Sequence, residues 1–436
     1  MEKKRGMNMK REEWISPEGI TQLYLAVMMT AFLLWTGMDG YARITFYKAA
    51  AFCILTGGYV AVMLRAVWRE KVWSKFCPAQ WLIVGYWGMS VLSSLCALDR
   101  ERAFFGGPRA EGLLSISLYC GAFLLVSVYG RPQKWMLALF GIGMSGNCAV
   151  ALAQLAGYNP LRLYPAGLTY FDGHIRYAGQ FLGTVGNVDL LSALLCVAVP
   201  VFWIALLRVE DKRRFRLLIP LGLCLCVLGL TWVEGGVLGV LGGFVLALPV
   251  VLRERGQRKA AFLGAVLAML GALAVVYVFG GDMSGALFEA HELLHGRFDE
   301  RFGSGRLYIW RETWKLVPER LLLGGGPETL GLRTQAAFER FDETLGLTIR
   351  TTVDNAHNEY LNILVNQGLM ALGCWLGALL SAAVLWRKKA PAVPAAAICG
   401  GGVLGYCIQA FFGLSSPITA PFFWLAFGLL IRATRE

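Results

Sequence analysis

Apolar residues in this chain fall in long blocks separated by short charged or Gly/Pro-containing breaks. A helix needs about 20 mainly apolar residues to cross a bilayer. Blocks of that kind recur near residues 20-38, 44-64, 80-97, 113-129, 135-156, 187-207, 217-233, 235-252, 260-279, 359-386, 393-412 and 416-432. The pattern predicts an all-α polytopic integral membrane protein of about 12 transmembrane helices. Within block 235-252, Gly235, Gly239 and Gly243 stand four residues apart, a spacing that lets a neighbouring helix backbone approach closely in lipid.

The breaks set an orientation. Alternate ones carry basic clusters, at Arg65, Arg69, Lys71 and Lys75, at Arg208 to Arg216, at Arg253 to Lys259 and at 387-389, with smaller patches at Arg131/Lys134 and Arg432/Arg435. Basic loops stay on the cytoplasmic side, so both termini are expected in the cytoplasm. The first block follows Lys3, Lys4, Arg5, Lys10 and Arg11, is too long for a signal-peptide core and has no A-x-A-like cleavage site, which reads as a retained span. The chain then divides into a cytoplasmic tail (1-19), nine spans (20-279), a large extracytoplasmic loop (280-358), and three spans with a short cytoplasmic tail (359-436).

Composition agrees. The 436 residues are 56% hydrophobic and 16% charged, with mean hydropathy +0.55, more apolar surface than a two-layer globular core buries. The net charge of +12 is explained by clusters facing anionic lipid headgroups, so membrane lipids are expected partners and nucleic acid is not. None of the eleven cysteines lies in 280-358, which argues against a disulfide framework outside and gives no thiolate metal site.

Length singles out two outer segments, 157-186 and 280-358, the second larger than a passive connection needs. There Ser304 is placed to cap a helix running to Lys315, with Leu307, Trp310 and Trp314 on its apolar face and Arg306 and Arg311 flanking them. Gly324-Gly325-Gly326-Pro327 breaks the chain before a second helix expected around Glu328 to Phe341. Asp354 or Asn355 is expected to cap the tenth span and put His357 in its first turn.

Arg176, Arg306 and His357 thus share the outer side, each close in sequence to a span end. Guanidinium groups bind phosphate oxygens through paired, charge-assisted hydrogen bonds, and an imidazole accepts a proton near neutral pH. The bland alternative is that these arginines pair with Glu300, Glu312 or Glu319, or with headgroups. His291-Glu292-Leu293-Leu294-His295 matches the H-E-x-x-H pattern of zinc metallopeptidases, in which two histidines four apart on a helix share a zinc ion, but no third ligand stands at a suitable offset; an amphipathic surface helix explains it equally. Asp189 and Glu234 lie near span ends and leave a secondary transporter of a polysaccharide precursor or anion as another reading.

Three stretches together resemble the O-antigen ligase and polymerase family of bacterial membrane glycosyltransferases: Arg176-Tyr-Ala-Gly-Gln-Phe leading to Gly186-Asn187-Val188-Asp189; Gly305-Arg306-Leu-Tyr-Ile-Trp310 with Pro318 and Leu323-Gly-Gly-Gly-Pro327; and His357-Asn358-Glu-Tyr360-Leu361 through Gln367-Gly368-Leu-Met-Ala-Leu372-Gly373. The family's Asn-Pro-Asn reads Asn187-Val188-Asp189 here, and its Ser-Arg-Gly reads Val233-Glu234-Gly235. The resemblance covers residues 170-375. It implies a GT-C-like enzyme of the bacterial cytoplasmic membrane, needing no metal or cofactor, that moves a glycan from an undecaprenyl-diphosphate-linked donor to a lipid, glycan or protein acceptor on the extracytoplasmic face. His357 and Arg306 would be catalytic. Arg176, Arg306, Arg311, Trp310, Asn187, Asn358 and Tyr360 would bind substrate.

Overall fold

The computed structural model describes residues 16–164, 171–172, 175–176, 182–342 and 347–435. In chain order the helices are α1 (Pro17–Val27), α2 (Ile44–Arg69), α3 (Pro78–Leu95), α4 (Arg100–Phe105), α5 (Leu113–Tyr129), α6 (Lys134–Leu155), α7 (Val188–Arg208), α8 (Leu218–Thr231), α9 (Glu234–Val251), α10 (Arg255–Phe279), α11 (Ala286–Leu294), α12 (Arg306–Leu316), α13 (Leu330–Arg333), α14 (Glu359–Lys389), α15 (Pro394–Gln409) and α16 (Ala420–Ala433). Helices occupy all the apolar blocks of the sequence, and seven of them, with their flanking turns, are long and apolar enough to cross a membrane. The chain is an all-α polytopic membrane protein.

Burial separates the roles of the long helices. In α7, 89% of the most apolar window is buried, whereas in α10 none of it is. A helix that is apolar all round and leaves its side chains largely uncovered requires lipid as its solvent, so α10 lies at the lipid-facing periphery. The centre is built on α7, against which α15, α9 and α8 pack; α14 lies along α3, and α16 along α5. The glycine row of α9 works as its spacing implies. A Cβ at Gly239 would stand 2.6 Å from Cys196 Sγ of α7 and 3.1 Å from the Gly405 carbonyl of α15, and one at Gly243 would meet Gly405 Cα at 3.2 Å. The three helices approach at backbone distance because these side chains are missing.

Charge is segregated to the bundle ends. At one end Arg131 pairs with Glu18 at 2.9 Å, Lys134 with Asp211 at 3.6 Å and Arg253 with Glu210 at 2.8 Å. There Arg208 donates to the carbonyls of Ala390 (2.8 Å) and Pro391 (2.9 Å), so the last turn of α7 is tied to the α14–α15 connection. This end holds the basic clusters that the sequence assigns to the cytoplasm.

The opposite end differs from the sequence reading in three places. Ser304 does not cap α12. Gly303, Ser304 and Gly305 all have positive φ (64°, 57° and 81°), and the first free N–H groups of α12 are met by carbonyls of the preceding turn, Arg306 by Gly303 at 3.2 Å and Tyr308 by Glu300 at 3.2 Å. The helix expected over Glu328 to Phe341 is only α13; strand β3 (Ala337–Asp342) follows and pairs antiparallel with β4 (Leu347–Thr352). The Thr348, Ile349, Thr351 and Thr352 run favours a pleated strand through its branched Cβ atoms, so the large loop is only partly helical. Finally, Asn358 rather than Asp354 or Asn355 caps α14, accepting from Leu361 N at 3.0 Å. His357 therefore precedes the helix, at φ 47°.

Candidate functional site

At the end opposite the basic clusters a polar cavity of about 560 Å³ opens between the start of α2, the entry to α7 and the turn before α16. Arg43, Arg109, Asn187, Asp354 and Ser416 contribute polar groups to its wall. His357 stands beside it, with Arg109, Asp189, Arg306 and Asp354 as its charged neighbours. Segments far apart in sequence meet here: the 106–111 loop, the first turn of α7, the start of α12 and the turn before α14.

Each group has a local cause for its position. The Asn187 side chain caps α7, accepting from Asp189 N at 2.9 Å and Leu190 N at 3.1 Å, which holds Asp189 in the first turn, where the helix dipole favours an anion. Asn355 Oδ1 accepts from His357 N at 2.8 Å and Trp310 Nε1 donates to the Ala356 carbonyl at 3.0 Å, so the left-handed turn at His357 is pinned from both sides. A non-glycine residue held at positive φ is a cost that persists only where surrounding contacts over-determine it. Arg306, half-buried, donates through Nε to Phe412 O (3.1 Å) and through Nη1 to Gly303 O (2.9 Å). Its Nη2 has no hydrogen-bond partner among the described residues.

Arg109 was not legible from the sequence. It makes a two-point contact with Asp354, Nε to Oδ2 at 3.3 Å and Nη2 to Oδ1 at 3.0 Å. Its backbone is fixed by Glu328, whose carboxylate accepts from Arg109 N (2.8 Å) and Glu111 N (2.7 Å), while Arg102 Nε donates to the Glu328 carbonyl at 2.9 Å. Glu328 follows the Gly324-Gly325-Gly326-Pro327 break directly, so the glycine motif serves to bring this carboxylate under the 106–111 loop. Burial pushes the Glu111 carboxyl up to about 8, against the lowering effect of the Tyr119 hydroxyl.

The His357 imidazole is pushed down to about 4, first by burial and then by the Arg109 charge, with Arg306 adding to it and Asp189 and Asp354 opposing. At neutral pH it is uncharged and able to accept a proton.

The other residues singled out by the sequence divide. Asn358 and Tyr360 are engaged in the fold, Asn358 as the α14 cap and Tyr360 through its hydroxyl to the Cys407 carbonyl at 2.7 Å. Trp310 lies edge-on to Phe411, ring centroids 5.6 Å apart. Arg311 is exposed and paired with Glu300 and Glu312, the bland arrangement weighed for this loop, and is not among the charges facing His357. Arg176 sits in a two-residue strand, its backbone opposite Phe171; its side chain lies outside the described residues. In the H-E-x-x-H segment, His291 Nδ1 is 3.0 Å from the Val276 carbonyl, His295 has passed the end of α11 with its ring stacked on Tyr277, and Glu292 pairs with Arg297 at 3.0 Å. Among the described residues no group of three or more His, Cys, Asp or Glu side chains is placed to hold a metal ion.

A polytopic membrane protein with a polar cavity at one end of its bundle, and arginines and the His357 imidazole beside it, is the class these features define. Residues 219–376 match the family model described as O-antigen ligase, a segment that contains Arg306, Trp310 and His357. The match supports a likeness of this segment to the O-antigen ligase family; it lends no support to transport or peptidase activity. No match appears among the curated proteins.

Proposed function

We propose that this chain transfers a glycan from an undecaprenyl-diphosphate-linked donor to a hydroxyl-bearing lipid, glycan or protein acceptor on the extracytoplasmic face of the bacterial cytoplasmic membrane, both termini being cytoplasmic. The observation that carries this reading is the convergence of Arg109 and Arg306 on His357 beside an open polar cavity. The acceptor hydroxyl attacks the anomeric carbon, its proton passes to His357, and the bond from that carbon to the diphosphate oxygen breaks. Charge developing on the leaving diphosphate meets guanidinium groups already in place, the kind of preorganised stabilisation that dominates many enzymes. Asn187 lines the cavity, Trp310 holds the turn that presents His357, and Arg176 enters as a further cation from the 157-186 segment. Those cations replace a metal, so a chelator leaves the rate unchanged.

Two measurements test the proposal. Deleting the gene is expected to enlarge the pool of undecaprenyl-diphosphate-linked glycan and to shorten or remove surface polymer; an unchanged lipid-linked pool would refute it. In purified protein, Arg306→Ala is expected to slow transfer by about 10²–10³-fold, the loss seen when one charge-stabilising donor is removed, whereas Glu292→Gln in the H-E-x-x-H segment leaves it unchanged.

A further inference from the structure

A long groove lies at the other end. It has a volume of about 680 Å³ and runs between α6 and α8. Its floor is apolar, with Leu137, Ala138, Gly141 and Pro220, and its sides carry Ile142 and Ile219, which are 60% and 66% exposed. An apolar trough open sideways at membrane depth admits acyl chain. Its rim is of another kind: Lys134, Arg213, Arg214 and Arg216 set four positive charges against Asp211, whose carboxylate is already engaged by Lys134 at 3.6 Å and by Arg213 N at 2.9 Å.

Arg214 is held by a backbone carbonyl, Nη1 donating to Val209 O at 2.7 Å, and not by a carboxylate ion pair. Arg253 and Arg131 at the same end have carboxylate partners. No ion pair joins Arg213, Arg214 or Arg216 to a carboxylate among the described residues, and Arg214 Nε is buried with no hydrogen-bond partner there. Trp135, which also lines the groove, anchors its indole N–H on Gln133 Oε1 at 2.6 Å, in the manner of an aromatic at the headgroup level.

From this complementarity we infer that the α6–α8 groove is a binding site for one anionic phospholipid of the cytoplasmic leaflet, its chain lying along Leu137, Gly141 and Ile142 and its phosphate held by Arg213, Arg214 and Arg216. Basic pockets between transmembrane helices on that side are suited to such headgroups. The glycan donor is not the occupant. Its diphosphate belongs beside His357, at the far end of α6, and a helix of 22 residues separates the two by about 33 Å. The site is therefore structural or regulatory, and it stands whether or not the transferase reading does.

Native mass spectrometry of the purified, delipidated chain tests it, with phosphatidylglycerol and phosphatidylcholine of identical acyl chains as probes. Retention of phosphatidylglycerol is expected to exceed that of phosphatidylcholine by about 10-fold or more. The exposed pair R213Q/R216Q should abolish the preference, and Ile142→Trp, which fills the trough without altering charge, should lower phosphatidylglycerol retention. Inorganic phosphate should not compete at millimolar concentration. Equal retention of the two lipids, a preference that survives R213Q/R216Q, indifference to Ile142→Trp, or displacement by phosphate alone would each overturn the assignment.

Discussion

Replacing His357 by alanine is expected to reduce glycan transfer by about 10²–10⁴-fold, the contribution of one positioned general base, with the protein still inserted at wild-type level and with an unchanged melting temperature. Among the described residues the half-buried ring makes no hydrogen bond on which a neighbouring element depends; the turn around it is held by Asn355 and Trp310 through backbone atoms. Chemistry and fold are thus separable at this residue. The pH dependence of kcat/KM provides an independent readout. With the folded-state value depressed from 6.5 to about 4, the free protein keeps its imidazole neutral down to that range, and the acid limb should fall near pH 4 rather than near 6.5. Arg109 is the second-largest cause of that depression, after burial. Arg109→Gln removes a charge that disfavours imidazolium and frees Asp354, which favours it, so both changes push the value up and the acid limb should move to higher pH. A donor diphosphate neutralising Arg109 and Arg306 acts in the same direction, making His357 a stronger base once substrate is bound. An acid limb that stayed in place in Arg109→Gln would remove the electrostatic link between the two residues, and full activity in His357→Ala would remove the base.

Much of this arrangement was legible in the sequence because its signals are local. Lipid demands about 20 apolar residues in a row, and that demand places every long helix. Arg306 opens a helix close to where the sequence expected one, whereas the cap of α14 was assigned to Asp354 or Asn355 and is taken by Asn358. What was not legible depends on contacts distant along the chain. Arg109 is 245 positions from Asp354 and 219 from Glu328, and nothing in the 98–112 break distinguishes it from Arg100 or Arg102. Arg311 shows the converse: beside the apolar stripe of α12 it resembles a ligand-binding arginine, but Glu300 and Glu312 are close enough to claim it. The β3–β4 hairpin was missed because Glu328 to Phe341 begins with a helix-compatible stretch, and only pairing with the branched residues of β4 selects the extended state.

Gly368→Ala is expected to cost about 3 kcal/mol or more of stability and to take transfer activity with it. Gly368 interrupts α14 at φ 88°, ψ 174°, a region essentially reserved for glycine. A Cβ there would stand 2.2 Å from the Leu322 carbonyl oxygen and 2.4 Å from its carbon, backbone atoms that have no rotamer to retreat into. The break lies about nine residues, or roughly 14 Å, into a helix expected to cross the membrane, where unpaired peptide groups are not tolerated in contact with lipid. The 321–326 segment supplies the missing partners. Gly325 N donates to Val365 O at 3.2 Å, Gly326 N to Asn366 O at 2.7 Å, and Leu369 N to Leu321 O at 2.8 Å. The same segment leads through Pro327 to Glu328, which fixes Arg109 beside His357. Forcing Gly368 toward a helical conformation therefore strands three hydrogen bonds and displaces the support of the cavity wall. Gly373→Ala is the control: five residues on in α14, its Cβ would meet nothing within 4 Å, and helix propensity alone predicts a gain of up to about 1 kcal/mol. Thermal unfolding of the two variants in the same detergent decides the matter, since equal midpoints would mean that the break in α14 does not hold the outer loop in place.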